Sequence, residues 1–282
     1  MRRLRVLERA EGFSPGDHAS WVFDGDGSFT SAAAECLAEG ARRGERLMFV
    51  TSTAAGSGGD ALDAVPAGQE LLDRGQLTVH RLEDVYRIGS QAGPAAQARL
   101  LEAELDRALA AGFTGLRVAS DLTELAADDR MLPRLMEYEL AVDQLFSGRP
   151  AVVLCGFDSR TTGPSWPRLA ALHGMQHAPE PRPRFAVRLL GKRLYLQGEL
   201  DVVTAPELSE ALATAASCTH DDLHVDLTGL DFIDVAAGRV LAGFDRRMCR
   251  DGRQVTFDGA RPLAARVLRC FGVPRQPGLG TG

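Results

Sequence analysis

Short apolar runs alternate with longer amphipathic segments over roughly the first 160 residues. The run Leu47-Met-Phe-Val50 is typical of a strand that is buried on both faces, because every position is apolar. Such alternation favours a largely parallel sheet with helices on both sides. It predicts strands at 21–23, 46–51, 77–82, 116–119 and 151–154, and helices at 29–43, 61–74, 94–111 and 131–146. The helix at 94–111 should bury one side that carries Leu100, Leu101, Leu105 and Leu109.

The pattern changes after Ala178-Pro-Glu-Pro-Arg-Pro183. Prolines at alternate positions resist both helix and central strand, so this segment predicts an extended linker. Beyond it, residues 184–190 and 193–199 predict a hairpin that turns at Gly191-Lys192. We therefore expect four segments: a first domain at 1–178, a linker at 179–184, a second domain at 185–274 and a flexible tail at 275–282.

Composition narrows the classes of function. The net charge of −6 gives no basic footprint, so we expect no direct nucleic-acid binding. No apolar run approaches the roughly 18 residues that span a membrane, and the N-terminus lacks a signal-peptide core, so we expect a cytoplasmic protein without membrane contact. Five dispersed cysteines favour reduced, mostly buried thiols. The only lysine, Lys192, lies in the predicted turn and is a poor candidate for catalysis.

The most informative motif is Asp226-Leu-Thr-Gly-Leu-Asp-Phe-Ile-Asp234, followed by Val235. It predicts a short strand at 224–227, a tight loop, a second apolar anchor at Phe232 and Ile233, and a helix capped by Asp234. Upstream lie Gly198-Glu-Leu-Asp201 and then Ala205-Pro206, which open another helix. Together these motifs resemble the STAS domain, the fold of the anti-sigma factor antagonists.

The STAS resemblance implies docking to an anti-sigma factor of the GHKL kinase type. In that family the residue after the second aspartate is often a serine that the kinase phosphorylates, whereas this chain has Val235. Thr228 is a nearby hydroxyl, but a turn hydroxyl is its favoured interpretation. The resemblance implies that the partner-binding residues are Asp201, Asp226, Thr228, Asp234, Val235, Ala236 and Gly238.

Motifs in the first domain resemble the MEDS domain, a bacterial sensory module related to the RecA/KaiC-like ATPase fold. They are Gly16-Asp17-His18, residues 40–50, residues 112–117, Glu137-Tyr138-Glu139, and Cys155-Gly-Phe-Asp158, in which Gly156 and Phe157 depart from the family's Cys-Gln-Tyr-Asp. The expected fold class is therefore α/β, with an N-terminal RecA/KaiC-like parallel-sheet sensory domain and a C-terminal STAS α/β domain.

The resemblance also implies a small-molecule pocket in residues 1–178, at the carboxyl ends of the strands. The glycine-rich loop at 51–60 could cradle an anion, but it lacks the lysine of a phosphate-binding loop, which argues against ATP hydrolysis. Taken singly, Asp121 is more typical of a helix cap and Arg117 of an ion pair with a helix carboxylate. His18 taken alone is more typical of a side chain that hydrogen-bonds to loop backbone. The candidate ligand-binding residues are His18, Gly56, Gly58, Arg117, Asp121, Glu139 and Asp158.

Other signals point away from an enzyme. His173 and His177 have the i,i+4 spacing of a metal pair, but no third ligand accompanies them in the sequence, so we predict no metal and no cofactor. No G-x-S-x-G elbow is present. The sequence thus predicts a non-enzymatic, anti-sigma factor antagonist-like regulator whose sensory domain controls docking by the STAS domain. Two alternatives stay open: a degenerate nucleotide- or small-ligand-binding module, and a scaffold that self-associates as a homo-oligomer.

Overall fold

The computed structural model describes residues 4–25, 28–52, 65–86, 93–179 and 184–273. Its first domain is built on a seven-stranded, wholly parallel sheet in the order β1-β7-β2-β6-β5-β3-β4, which confirms the predicted fold class. The strands are β1 (Arg5–Val6), β2 (Asp17–Phe23), β3 (Arg46–Thr51), β4 (Leu77–Arg81), β5 (Leu116–Asp121), β6 (Ala151–Asp158) and β7 (Met175–His177). The helices are α1 (Ser28–Arg42), α2 (Gly68–Asp73), α3 (Leu82–Val85), α4 (Gly93–Ala110), α5 (Thr123–Ala127), α6 (Leu132–Phe146), α7 (Ser159–Thr162) and α8 (Trp166–Ala170), with a 3-10 turn at Gly163–Ser165.

Helices cover both faces of this sheet. Ala19 and Trp21 of β2 pack with α1 on one face, whereas Val22 packs with α4 and α6 on the other. Side chains alternate between faces along a strand, so His18 and Ser20 share the face of Val22. Strand β2 begins at Asp17, four residues earlier than predicted, and this extension places His18 inside the sheet rather than in a preceding loop.

The predicted buried face of α4 is partly wrong. Leu101 and Leu105 are buried, but Leu100 is 56% exposed and Leu109 39% exposed. Ala98 and Ala108 complete the buried stripe instead, because they lie three residues from Leu101 and Leu105 on the same side of the helix. The two outer leucines sit at the margin of this stripe.

The second domain has a four-stranded sheet in the order β11-β10-β9-β8. Strands β8 and β9 form the predicted antiparallel hairpin, and the other pairs are parallel. Its elements are β8 (Phe185–Leu190), β9 (Arg193–Leu200), α9 (Ala205–Ser217), β10 (Leu223–Ile233), α10 (Val235–Arg250), β11 (Val255–Asp258) and α11 (Pro262–Cys270).

Strand β10 runs unbroken through the stretch where the sequence predicts a tight loop. Two shifts in its pairing with β9, between Asp226 and Gly229 and between Leu230 and Phe232, absorb the irregularity as bulges. The predicted apolar anchor is half right, because Ile233 is buried while Phe232 is exposed.

The two domains pack against each other through α6, α8, β8 and α9. The Val187 N–H donates to the Ala171 carbonyl at 2.7 Å, which joins β8 to the end of α8. The side-chain amide of Gln176, in the middle of strand β7 of the first domain, donates to the Phe185 carbonyl at 3.0 Å. The core of the described residues is continuous across this junction. Residues 180–183 of the predicted linker, residue 274 of the predicted second domain and the whole predicted tail, 275–282, lie outside the described residues.

Two further predictions concern the burial of the cysteines and the presence of membrane-spanning segments. Cys36 and Cys155 are buried free thiols, but Cys218, Cys249 and Cys270 are exposed, so the prediction of mostly buried cysteines is wrong. Among the helices of the described residues, none combines the length and apolar composition that crossing a bilayer requires.

Candidate functional site

A buried polar cluster lies on the α6 side of the first sheet. His18 of β2 pairs with Val153 of β6, so Cys155 is one step further along the same face. Helix α6 places Glu139 beside these two side chains. His173, in the segment that follows α8, completes the group. All four residues are buried. We call this set the interior cluster: His18, Glu139, Cys155 and His173.

The interior cluster is tightly spaced. The Nε2 atom of His18 lies 3.1 Å from Oε2 of Glu139 and 3.5 Å from Sγ of Cys155. The same Glu139 oxygen lies 3.6 Å from the thiol and 3.5 Å from Nε2 of His173. One candidate ligand atom from each residue can be chosen so that all four lie within 4.8 Å of one another.

Burial and neighbouring groups set the charges in the interior cluster. Burial and the nearby His173 lower the pKa of His18, so its imidazole is neutral at neutral pH. Burial would raise the pKa of Glu139, but His173 and His18 outweigh it and hold this pKa at about 2. Burial and Glu139 raise the pKa of the Cys155 thiol well above its usual range. The cluster therefore holds a buried carboxylate beside a neutral imidazole, that of His18, and a neutral thiol.

The interior cluster reaches the second domain through one ion pair. The Nδ1 atom of His18 lies 4.0 Å from Oδ1 of Asp143, one turn after Glu139 on α6. Asp143 in turn receives Nη2 of Arg188 at 2.8 Å and its Nε at 3.0 and 3.1 Å. Burial opposes the charge on Arg188, but Asp143 outweighs it and raises the pKa of the guanidinium. Arg188 belongs to β8, so a polar path leads from the interior cluster into the second domain.

The structure separates the residues predicted to share a ligand pocket. His18 and Glu139 meet in the interior cluster, whereas Arg117 lies on the opposite face of the sheet, where it binds Glu39 at 2.9 Å and Glu45 at 2.6 Å. Asp121 and Asp158 lie at the carboxyl ends of their strands. There they accept backbone N–H groups of Thr123 and Arg160 at 3.0 Å, as local caps. The predicted ligand-binding residues are thus divided among the interior pair of His18 and Glu139, Arg117 on the opposite face, and the neighbouring Asp121 and Asp158 at the carboxyl edge. Gly56 and Gly58 lie outside the described residues.

The second candidate site lies at the carboxyl ends of β9 and β10. Asp234 caps α10, because its Oδ1 accepts the Ala237 N–H at 2.9 Å, and its Oδ2 accepts the Val202 N–H at 2.8 Å. Asp201 closes its own turn by accepting the N–H groups of Val203 at 2.9 Å and Thr204 at 3.0 Å. The two aspartates thus fix two adjacent loops as one surface.

Apolar side chains project from this surface into solvent. Val235 is 56% exposed at the first position of α10. We call the exposed set the signature patch: Val202, Val203, Phe232 and Val235. Exposed apolar groups clustered around a loop mark contact surfaces more often than scattered ones do.

Not every predicted partner-binding residue belongs to the signature patch. Ala236 lies beside it and is half-buried. Gly238 is buried under α11, where an added Cβ would come 2.5 Å from Cγ1 of Val267. Asp226 accepts both the N–H and the hydroxyl of Thr228, at 2.9 and 2.5 Å, well upstream on β10. These three residues shape the domain rather than the patch, and Thr228 makes the local bonds of a turn hydroxyl.

The fold is that of an α/β domain with a seven-stranded parallel sheet joined to a second α/β domain with a four-stranded sheet. The family model for MEDS, the methanogen/methylotroph DcmR sensory domain, matches residues 17–173, which is more than half of the chain. The chain therefore belongs to this family. A second model, described as the Mlab STAS domain, matches residues 185–279. No curated protein matches the chain.

His173 and His177 have helical spacing in the sequence, but they do not lie on one helix. His177 lies in β7, and its ring stacks on Trp21 with 3.7 Å between centroids. Cys155 already stood out in the MEDS motif, but as part of a family signature and not as a site residue. Asp143 and Arg188 carry no local signal, because their pairing depends on how two domains pack.

Proposed function

We propose that this protein is a bacterial signalling regulator in which the sensory domain controls docking of the STAS domain to a partner protein. The observation that carries the proposal is the ion pair between Arg188 and Asp143, which ties the STAS sheet to the helix that holds Glu139. A change around Glu139 would act on α6, and α6 packs directly against β8 and α9. A signal in the first domain thus has a short physical route to the second.

The signature patch supports the docking half of the proposal. It combines exposed apolar side chains with backbone loops that Asp201 and Asp234 hold in place, and rigid loops lose little entropy on binding. We expect the partner to be an anti-sigma factor of the GHKL kinase type, as the STAS resemblance implies. The protein would act by binding and not by catalysis.

Position 235 supports control by the sensory domain instead of by phosphorylation. Val235 is the first residue of α10, directly after the cap Asp234, and it has no hydroxyl to accept a phosphate. A phosphate there would add negative charge to a contact surface. With that switch absent at this position, the sensory domain is the candidate regulator.

The test is affinity capture from a lysate of the host with the full chain as bait. Val235→Glu should abolish recovery of a GHKL-type kinase, because it places a charge inside the apolar contact. The matched control is Leu100→Glu, since Leu100 on the sensory domain has the same 56% exposure as Val235. Recovery of the kinase by the wild type and by the control alone supports the proposal. Equal recovery by all three baits, or none by the wild type, contradicts it.

A further inference from the structure

We propose that His18, Glu139, Cys155 and His173 form a binding site for one divalent transition-metal ion of the zinc class. This inference concerns the first domain alone and holds whether or not the signature patch docks a kinase. Imidazole nitrogens, a carboxylate and a thiolate are the donors that zinc takes in proteins. The chain supplies four of them from four separate segments.

The spacing fits a tetrahedral site. Ligand atoms about 2.0–2.3 Å from a zinc ion lie about 3.3–3.8 Å from one another. Three separations in the interior cluster already fall in that range, at 3.5, 3.5 and 3.6 Å: from Cys155 Sγ to His18, from His173 to Glu139, and from Cys155 Sγ to Glu139. A fourth, 3.1 Å between His18 and Glu139, needs only a small opening. The remaining two of the six separations, from His173 to His18 and from His173 to Cys155, lie within the 4.8 Å that bounds the whole set, so His173 would move slightly inward around an ion.

Unpartnered atoms point to the same conclusion. Nε2 of His173 and Oε1 of Glu139 are buried and have no hydrogen-bond partner in the structure. Buried polar atoms in folded proteins are nearly always satisfied, and a bound ion is one of the few ways to satisfy two lone pairs at one point. Such an ion would accept the free lone pair of His173 and either oxygen of Glu139.

The surroundings orient the imidazoles as metal ligands. Nδ1 of His173 lies 2.8 Å from the Leu169 carbonyl, to which it donates, and this bond fixes the proton on Nδ1. Nε2 of that ring therefore presents its lone pair to the cluster. Behind His18, the Asp143 carboxylate lies 4.0 Å from Nδ1, on the side away from Glu139. Histidine ligands usually donate their second ring N–H to an outer carbonyl or carboxylate, as His173 does to Leu169. Nδ1 of His18 makes no hydrogen bond in the structure, and the Asp143 carboxylate would have to move closer to take this outer role.

Charge balance favours a divalent ion. Binding would displace the proton of the Cys155 thiol to solvent, because a coordinated thiol is deprotonated outright. The ion's two positive charges would then meet two negative charges, one from Cys155 and one from Glu139. The adjacent ion pair of Asp143 and Arg188 adds no net charge of its own.

A narrow cleft reaches one member of the interior cluster, His18. It has a volume of about 30 Å³ and is lined by His18, Gly16, Gly174 and Arg188, among other residues. Its size admits an ion with few waters and excludes larger molecules. The site therefore suits a single ion better than an organic ligand.

The test uses the purified full chain, stripped with a chelator and titrated with Co²⁺ alone. We expect one equivalent to bind and to give the thiolate-to-metal absorption band and intense visible bands of a tetrahedral site with one sulfur ligand. Cys155→Ser should abolish the thiolate band and weaken binding by more than about 100-fold, because loss of an outer partner alone costs about 10–100-fold. The control is Cys36→Ser, a second buried free thiol of the same domain, whose pKa is raised by burial to about 11.

A second pair of variants guards against misfolding. His173→Gln should weaken Co²⁺ binding while His177→Gln leaves it unchanged, and circular dichroism should show the same helix content in all four variants. Binding of Zn²⁺ is then read by competition against bound Co²⁺. No stoichiometric Co²⁺ binding by the wild type would overturn the proposal, as would a thiolate band that survives in Cys155→Ser or disappears equally in Cys36→Ser.

Discussion

At the scale of single residues, Asp234 holds two neighbouring elements of the STAS site in place. It caps α10 and also holds the β9–α9 loop through the Val202 N–H. Asp234→Ala should lower the free energy of unfolding by about 1–2 kcal/mol, because it removes a helix cap and leaves a second N–H without its acceptor. Urea unfolding followed by circular dichroism measures the loss.

Asp234→Asn is the control for this prediction. The amide keeps one oxygen that can cap the helix, so its loss of stability should be clearly smaller than that of Asp234→Ala. An equal loss in the two variants would mean that the charge of Asp234, and not its hydrogen bonds, stabilises the loops.

The cap could be predicted from the sequence, but its second bond could not. An aspartate directly before an amphipathic run is a local signal, since a cap bonds only to the next few residues. The bond from Val202 to Asp234 spans 32 positions and exists because β9 and β10 end side by side. The interior cluster is similar: each of its members is visible in the sequence, but the sheet register, the packing of α6 and the segment after α8 bring them together.

At the scale of elements, α10 offers two glycines with opposite surroundings. Gly238 faces α11 so closely that a Cβ would come 2.5 Å from Val267 and 3.2 Å from Phe271, whereas Gly243 meets only the tip of Arg246 at 4.0 Å. Alanine favours a helix over glycine by about 1 kcal/mol. Gly243→Ala should therefore stabilise the protein by about 0.5–1 kcal/mol.

Gly238→Ala should instead destabilise the protein, by about 1–2 kcal/mol net. Overpacking costs about 1–3 kcal/mol and outweighs the gain in helix propensity, because the nearest atom belongs to a stiff, branched side chain. Both variants are compared with the wild type by urea unfolding. A stabilised Gly238→Ala would show that α11 shifts freely and that its packing on α10 is loose.

The periodicity of apolar residues predicts where strands and helices lie better than it predicts the residues at which they begin and end. The runs at 46–51 and 151–154 mark strands because parallel, doubly covered strands need apolar residues on both faces. The sequence predicts a β2 that is too short, because Asp17, His18 and Ser20 interrupt the apolar pattern of this strand. Those polar residues are buried in the sheet, and burial of polar groups inside a strand is itself the mark of the interior cluster.

At the scale of the whole molecule, the way the domains pack could not be predicted. The proline-rich segment predicts a boundary, but whether two domains touch depends on surfaces that are distant in sequence. Here the contact includes a buried ion pair, with Asp143 1% and Arg188 14% exposed, and a second pair at its rim, Arg168 with Glu210, 32% and 41% exposed. The inner pair is more deeply buried and makes three contacts to the single contact of the outer pair, so the two pairs compare a buried ion pair with a half-exposed one at the same domain junction.

Arg188→Met should cost about 3–5 kcal/mol, because it leaves the Asp143 carboxylate buried without a partner, whereas Arg168→Met should cost at most about 1 kcal/mol. Urea unfolding of the full chain measures both.

The double variant Arg188→Met/Asp143→Leu should recover most of the loss, since a buried ion pair can often be replaced by apolar groups at little cost. If the double variant is as unstable as Arg188→Met alone, the loss comes from packing and not from the unpaired charge. If Arg168→Met costs as much as Arg188→Met, burial is not what makes the inner pair important. The route from Glu139 to the STAS sheet would then lose its main support, because that route depends on the inner pair holding the two domains in register.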